Sequence, residues 1–320
     1  MFSKAASLVA KWTTRPRAPE RLIPEPAEKG FISSFDGTEI YWERHGPSPR
    51  DSDATPMIFC YGLVCSFNQW RYQLTRYSKE RPCYVFDYRG HGKSAEPTDM
   101  DRINLSALAK DAAAVIKVHG NRRPFIVWGH SMGASVALEL AVAEPELCKA
   151  LVLCCASVDN PFKHMFGTPA FDVGMKALLR HFPENTELFY STWKRFMSVP
   201  LLTKIVVKVA GFNADASTDE DVETYVNAVS ANPARTFFPL IIEMSRGITA
   251  QILEKVRVPS VVVAGAKDHI TPRDTQHYVA DRLVDSDYVE IPAGSHNVQL
   301  DFGEYVSLKV EDSLKRRSFW

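Results

Sequence analysis

The chain has 320 residues, 45% of them hydrophobic and 24% charged, enough to bury one large core or a core carrying an insertion. Lysine plus arginine and aspartate plus glutamate balance at 38 each, so the formal net charge is zero and no basic field for nucleic acid exists. Six cysteines (Cys60, Cys65, Cys83, Cys148, Cys154, Cys155) lack C-x-x-C or zinc-type spacing, and most sit in apolar runs; reduced thiols, no metal site and a cytoplasmic location are expected.

The first 29 residues form an extension. Met1 to Trp12 lack the apolar run of a signal peptide, and no apolar stretch reaches bilayer-spanning length. Phe2, Ala5, Leu8, Val9 and Trp12 share a helical face beside Lys4, Lys11, Arg15 and Arg17, which suits either peripheral contact with a membrane surface or packing on the body.

Two strands follow, Gly30 to Ser34 and Thr38 to Arg44, joined at the turn dipeptide Asp36-Gly37. Apolar runs then alternate with helical patterns. Strands are expected at Pro56 to Tyr61, Pro82 to Asp87, Phe125 to Trp128, Ala150 to Ala156, Ser260 to Ala264 and Tyr288 to Ile291. Helices are expected at Phe67 to Ser78, after the cap Asn104, at Met132 to Ala143, after Thr271-Pro272, and from about Asp301 to Lys315. Continuous apolar strands separated by helices indicate an α/β fold, a mostly parallel sheet with helices on both faces. Residues 158–245 break this rhythm: they are helical, rich in Phe, Met and Leu, and read as a lid inserted between core segments 30–157 and 246–320.

Gly129-His130-Ser131-Met132-Gly133 matches G-x-S-x-G between a strand and a helix. Ser131 would sit on a strained turn with its hydroxyl exposed, and the flanking glycines remove side chains that would collide there. A serine hydroxyl is a weak nucleophile that needs a base, and the base needs an orienting acid. In this topology the order is serine, acid, histidine. His296, after the last strand, is the expected base, and Asp268, after Ser260 to Ala264, the expected acid, with Asp159 its competitor. His130 neighbours Ser131, but its side chain is expected to leave the turn in another direction. The oxyanion of a tetrahedral intermediate would be held by the N–H groups of Met132 and Leu63, the latter following Tyr61-Gly62. Gly92-Lys93-Ser94 ends like a phosphate loop, but Asp87 stands where the required glycine should be, so Asp87 to Ser94 reads as a structural turn.

These motifs resemble the α/β-hydrolase superfamily, in particular its serine esterase and lipase-like members. The resemblance spans about residues 30–157 and 246–315, with Asp87-Tyr88-Arg89-Gly90-His91-Gly92 similar to a family turn before the nucleophile. One departure is Tyr61-Gly62, where the family commonly has His-Gly, which puts the hydrogen bonding of that loop in question. A serine at position 131 is not the aspartate nucleophile of the family's epoxide hydrolases and haloalkane dehalogenases. The resemblance implies hydrolysis of a carboxylic ester through an acyl-enzyme, without metal or organic cofactor. C–C bond hydrolases, cofactor-free haloperoxidases, acyltransferases and a receptor-like module share the same motifs. Aromatic residues of the lid, with Phe162, Phe166, Trp193 and Phe237 as the expected substrate contacts, suggest a hydrophobic acyl or lipid-like substrate.

Overall fold

The computed structural model describes residues 23–120, 123–156, 158–180, 186–197, 211–213, 215–247 and 250–320. The proposed N-terminal helical face lies outside the described residues.

An eight-stranded sheet runs in the order β1-β2-β4-β3-β5-β6-β7-β8. Its strands are β1 Glu28–Ser33, β2 Glu39–His45, β3 Met57–Cys60, β4 Cys83–Phe86, β5 Phe125–His130, β6 Cys148–Cys154, β7 Ser260–Gly265 and β8 Ser286–Ile291. β1 and β2 form a hairpin around Gly37, whose φ of 86° is the left-handed turn conformation that glycine adopts without cost. β2 pairs antiparallel with β4, and from there to β8 every pairing is parallel. Every residue of β3, β4, β5 and β7 is buried, as sheets covered on both faces require.

Helices α1 Arg71–Tyr77, α2 Leu105–His119 and α3 Met132–Ala143 follow β3, β4 and β5. The Asn104 side chain caps α2 by accepting the N–H of Ala107 at 2.9 Å. The expected helix from Phe67 splits: Phe67–Trp70 is a 3-10 turn that runs into α1. α3 is apolar except for Ser135 and Glu139, and its alanines let it lie close against the sheet, where most of its residues are buried. Between β6 and β7 come helices α4 Ala170–Arg180, α5 Thr186–Met197, α6 Asp219–Ala231, α7 Ala234–Arg246 and α8 Ala250–Lys255, with no strand among the described residues. α9 Arg273–Arg282 separates β7 from β8; the short α10 Val298–Asp301 precedes α11 Gly303–Arg316, which is the final helix expected from about Asp301 to Lys315.

The turn after β4 is structural, as expected. Asp87 accepts the N–H of Lys93 at 2.9 Å, and a side chain at Gly92 would collide with its carboxylate. Arg89, fully buried, is paired with Asp111 at 2.6 Å and Asp36 at 2.9 Å, tying this turn to α2 and to the β1–β2 hairpin. Among the described residues no helix is long and apolar enough to cross a membrane.

The winding of the sheet reverses at β3 and β5, since β4 lies on one side of β3 and β5 on the other. Such a switch point opens a crevice beyond the carboxyl ends of the strands, where open α/β sheets bind ligands.

Candidate active site

Four loops leave the carboxyl ends of β3, β5, β7 and β8, and they carry Leu63, Ser131, Asp268 and His296. Ser131 has φ 52° and ψ −117°, a conformation that costs a non-glycine residue on the order of 1–3 kcal/mol. Its surroundings enforce this: its own N–H donates to the carbonyl of Cys154 at 3.0 Å, and its carbonyl accepts from Ala134 at 3.0 Å. A Cβ on Gly129 would stand 2.7 Å from the Ala134 Cα, and one on Gly133 2.6 Å from the Tyr61 carbonyl oxygen. Both glycines are therefore steric necessities of bringing α3 against β3 and β5. Met132 is the first residue of α3, so its N–H belongs to the helix end whose donors have no partner within the helix.

Asp268 and His296 meet. Nδ1 of His296 lies 2.8 Å from Oδ2 of Asp268, with both residues buried. The carboxylate is held on both oxygens. Its Oδ1 accepts the N–H groups of Ile270 at 2.8 Å and Thr271 at 2.9 Å, and its Oδ2 accepts from the Thr271 hydroxyl at 2.7 Å and the Gln276 amide at 3.2 Å. Burial alone would push the Asp268 carboxyl up; His296 and the Thr271 hydrogen bonds outweigh it and hold the group below the usual carboxylate range. The loop of His296 is fixed by Asp301, which accepts from the N–H and the hydroxyl of Ser295. Asp159, the alternative acid, is exposed and paired with Lys163 at 3.0 Å.

The loop after β3 is held although Tyr61 stands where the family commonly has histidine. Tyr61 and Tyr88 exchange hydrogen bonds: the Tyr88 N–H donates to the Tyr61 hydroxyl at 3.0 Å, and the Tyr88 hydroxyl donates to the Tyr61 carbonyl at 2.9 Å. The Gly62 N–H donates to Oε1 of Gln69 at 3.1 Å. The His130 ring lies 4.9 Å from the ring of His296, centroid to centroid, and its Nε2 donates to the His296 carbonyl at 2.7 Å, a contact the sequence did not show. Burial, then the neighbouring His296, push the His130 imidazole down to about 3, so it is neutral.

Gln69, Thr271, Gln276 and Asp301 carry no local motif. Gln69 is revealed only by its contact with His130, 61 residues away, and the other three by hydrogen bonds to Asp268 and Ser295 within the loops that carry the site. His130, Cys155 and His296 bring nitrogen and sulfur atoms within 4.8 Å of one another, the grouping with metal-ligand character among the described residues. Both nitrogens of His130 and Nδ1 of His296 are committed to hydrogen bonds, and burial pushes the Cys155 thiol far up, so this set is arranged for hydrogen bonding rather than for an ion.

Of the expected substrate contacts, Phe162 is buried in an apolar cluster with Met165 and Ile241, against which Leu63, Phe237 and Ile270 pack. Leu63 and Ile270 flank the site, so this cluster adjoins it. Phe166 is 42% exposed and its ring faces His269 at 6.4 Å. The Trp193 side chain lies outside the described residues.

Residues 55–302 match the family model for the alpha/beta hydrolase fold. The chain belongs to this family. As an α/β-hydrolase it is 24% identical to Epoxide hydrolase 1 of Caenorhabditis elegans over 272 residues, covering 83% of this chain and 66% of that protein, just under two thirds. Among solved structures, this α/β-hydrolase is similar to an esterase from Exiguobacterium antarcticum (TM-score 0.72, 20% identity, 90% of this chain and 100% of that one). It is also similar to the enol-lactonase from Burkholderia xenovorans LB400 (TM-score 0.70, 19% identity, 89% and 100%). These likenesses establish a hydrolase fold.

Proposed function

We propose that this α/β-hydrolase is a serine hydrolase cleaving carboxylic esters with a hydrophobic acyl group through an acyl-enzyme. The observation that carries the reading is the 2.8 Å hydrogen bond from His296 to a multiply anchored Asp268, on loops at the same end of the sheet as the strained Ser131. In this reading the Ser131 hydroxyl adds to the ester carbonyl as His296 takes its proton. The N–H groups of Leu63 and Met132 stabilise the tetrahedral oxyanion, and the leaving alcohol departs with the proton from His296. Water, activated by the same imidazole, then releases the acid. Asp268 keeps Nδ1 protonated and stabilises the imidazolium.

Support for a hydrophobic acyl group comes from the cluster of Phe162, Met165 and Ile241 beside Leu63 and Ile270. The helical segment between β6 and β7 acts as the lid over that group. The alkyl-enzyme route of epoxide opening needs a carboxylate nucleophile, and residue 131 is serine. The test is hydrolysis of nitrophenyl esters of graded chain length by wild type and Ser131→Ala, with fluorophosphonate labelling of the serine. Loss of the nucleophile lowers turnover about 10⁴-fold or more; equal turnover by both proteins overturns the reading.

A further inference from the structure

We infer that a buried chain of three hydrogen bonds through Gln69 and His130 locks the loop of Leu63, the turn of Ser131 and the loop of His296 into one register, which makes Gln69 and His130 positioning residues. The inference rests on the acyl-transfer reading above. The Gly62 N–H donates to Gln69 Oε1 at 3.1 Å, Gln69 Nε2 donates to His130 Nδ1, and His130 Nε2 donates to the His296 carbonyl at 2.7 Å.

The direction of this chain is forced at both ends. A backbone N–H can only donate and a backbone carbonyl can only accept, so one amide orientation of Gln69 and one tautomer of His130 fit between them. Each intermediate group spends both of its facing polar atoms, and Gln69, His130 and His296 are all at least 95% buried. Water therefore has no room to substitute, and an unmade bond leaves a desolvated polar atom.

The chain is also anchored from below. Trp70, next to Gln69, packs between Phe59 at 5.4 Å and Trp128 at 5.9 Å, and Trp128 lies two residues before His130. Gly62 is pressed against the same ring: a Cβ there would stand 2.8 Å from His130 Nδ1. The expected oxyanion donor follows Gly62 directly, and Ser131 follows His130 directly. A shift of the ring thus moves both the attacking oxygen and the donor that receives the charge. Misplacement by about 1 Å costs on the order of 100-fold in rate.

Two variants separate positioning from general stability. Gln69→Met keeps the volume and removes both bonds. Gln69→Glu keeps the acceptor for Gly62 but sets an oxygen against Nδ1; one proton, on the carboxylate or on the ring, restores the whole chain. The other titratable groups facing the ring, His296, Asp268 and Cys155, are present in every variant, and the Gln69→Met series, which adds no charge, serves as the reference for their contribution. The experiment is nitrophenyl-ester kinetics on the full chain from pH 5 to 9, with rates normalised to serine sites titrated by fluorophosphonate. For Gln69→Met, kcat per titrated site falls about 100-fold at every pH while KM stays within about threefold. For Gln69→Glu, the ratio of its kcat to that of wild type rises as pH falls.

A Gln69→Met rate within twofold of wild type, or a Gln69→Glu ratio flat with pH, overturns the inference. Should neither variant fold, ¹⁵N shifts of His130 in the wild-type chain decide: a proton on Nε2 supports the relay and one on Nδ1 overturns it. An active wild type with inactive Ser131→Ala and unimpaired Gln69→Met overturns the relay alone. Equal turnover by wild type and Ser131→Ala, or neither turnover nor labelling by wild type, overturns the acyl-transfer reading and the relay with it.

Discussion

Asp268 faces His296 with an oxygen that already accepts two other hydrogen bonds, from the Thr271 hydroxyl at 2.7 Å and the Gln276 amide at 3.2 Å, beside the 2.8 Å contact to Nδ1. A carboxylate so fully ligated cannot swing away, and the imidazole it orients inherits that rigidity. Replacing it with asparagine keeps the shape but can turn an amide N–H toward Nδ1, which selects the wrong tautomer. Asp268→Asn therefore lowers kcat on nitrophenyl esters about 10⁴-fold. Asp159→Asn, which alters only an exposed carboxylate paired with Lys163, stays within about twofold. Comparable losses in the two variants would assign the acid elsewhere.

Asp87 behaves oppositely to Asp268 as pH changes. Burial pushes its carboxyl up from 3.8 to about 7, against the Lys93 N–H and charge that favour the anion. The folded state thus holds a proton that the unfolded chain has lost, and stability falls as pH rises from about 4 to about 7. The contribution lost is on the order of 4 kcal/mol. Asp87→Asn, which can still accept from Lys93, flattens this slope. Urea midpoints at pH 5 and pH 8 measure it: wild type loses more than the variant, and equal losses refute the assignment.

The elbow leaves no space for a methyl group at Gly133. A Cβ there meets the carbonyl oxygens of Cys60 and Tyr61, and these are backbone atoms of a buried strand end that cannot rotate away. Gly133→Ala should destabilise the fold by about 3 kcal/mol or more. Thermal unfolding compared with Ala134→Gly, which adds nothing to the interface, provides the check. A Tm for Gly133→Ala equal to that of wild type would show that α3 can move away.

Phe162 is buried with Met165 and Ile241 next to Leu63, where an acyl chain attached to Ser131 would extend. Truncation in Phe162→Ala lowers kcat/KM for long-chain esters about tenfold relative to acetate, because apolar contact scales with the surface it covers. A ratio unchanged across the chain-length series would put the acyl group elsewhere.

Much of this was legible along the chain. β3, β4, β5 and β7 read as buried runs, Asn104 as a cap, and Met132 to Ala143 as a helix with the bounds observed. Ser131 was marked by glycines at both flanks, and Asp268 and His296 by their order after successive strands. All of these rest on local patterning, where period, turn chemistry and spacing carry the signal.

What the sequence determined by itself was the alternation of buried strands and helices and the strained elbow, because sterics between near neighbours dictate them. Only the folded chain decided that Asp268 rather than Asp159 faces His296, that Tyr61 and Tyr88 brace the loop after β3, and that His130 turns into the site. Those outcomes depend on groups dozens to more than a hundred residues apart. Each is settled by which buried donor must find an acceptor once the strands have stacked and water has left.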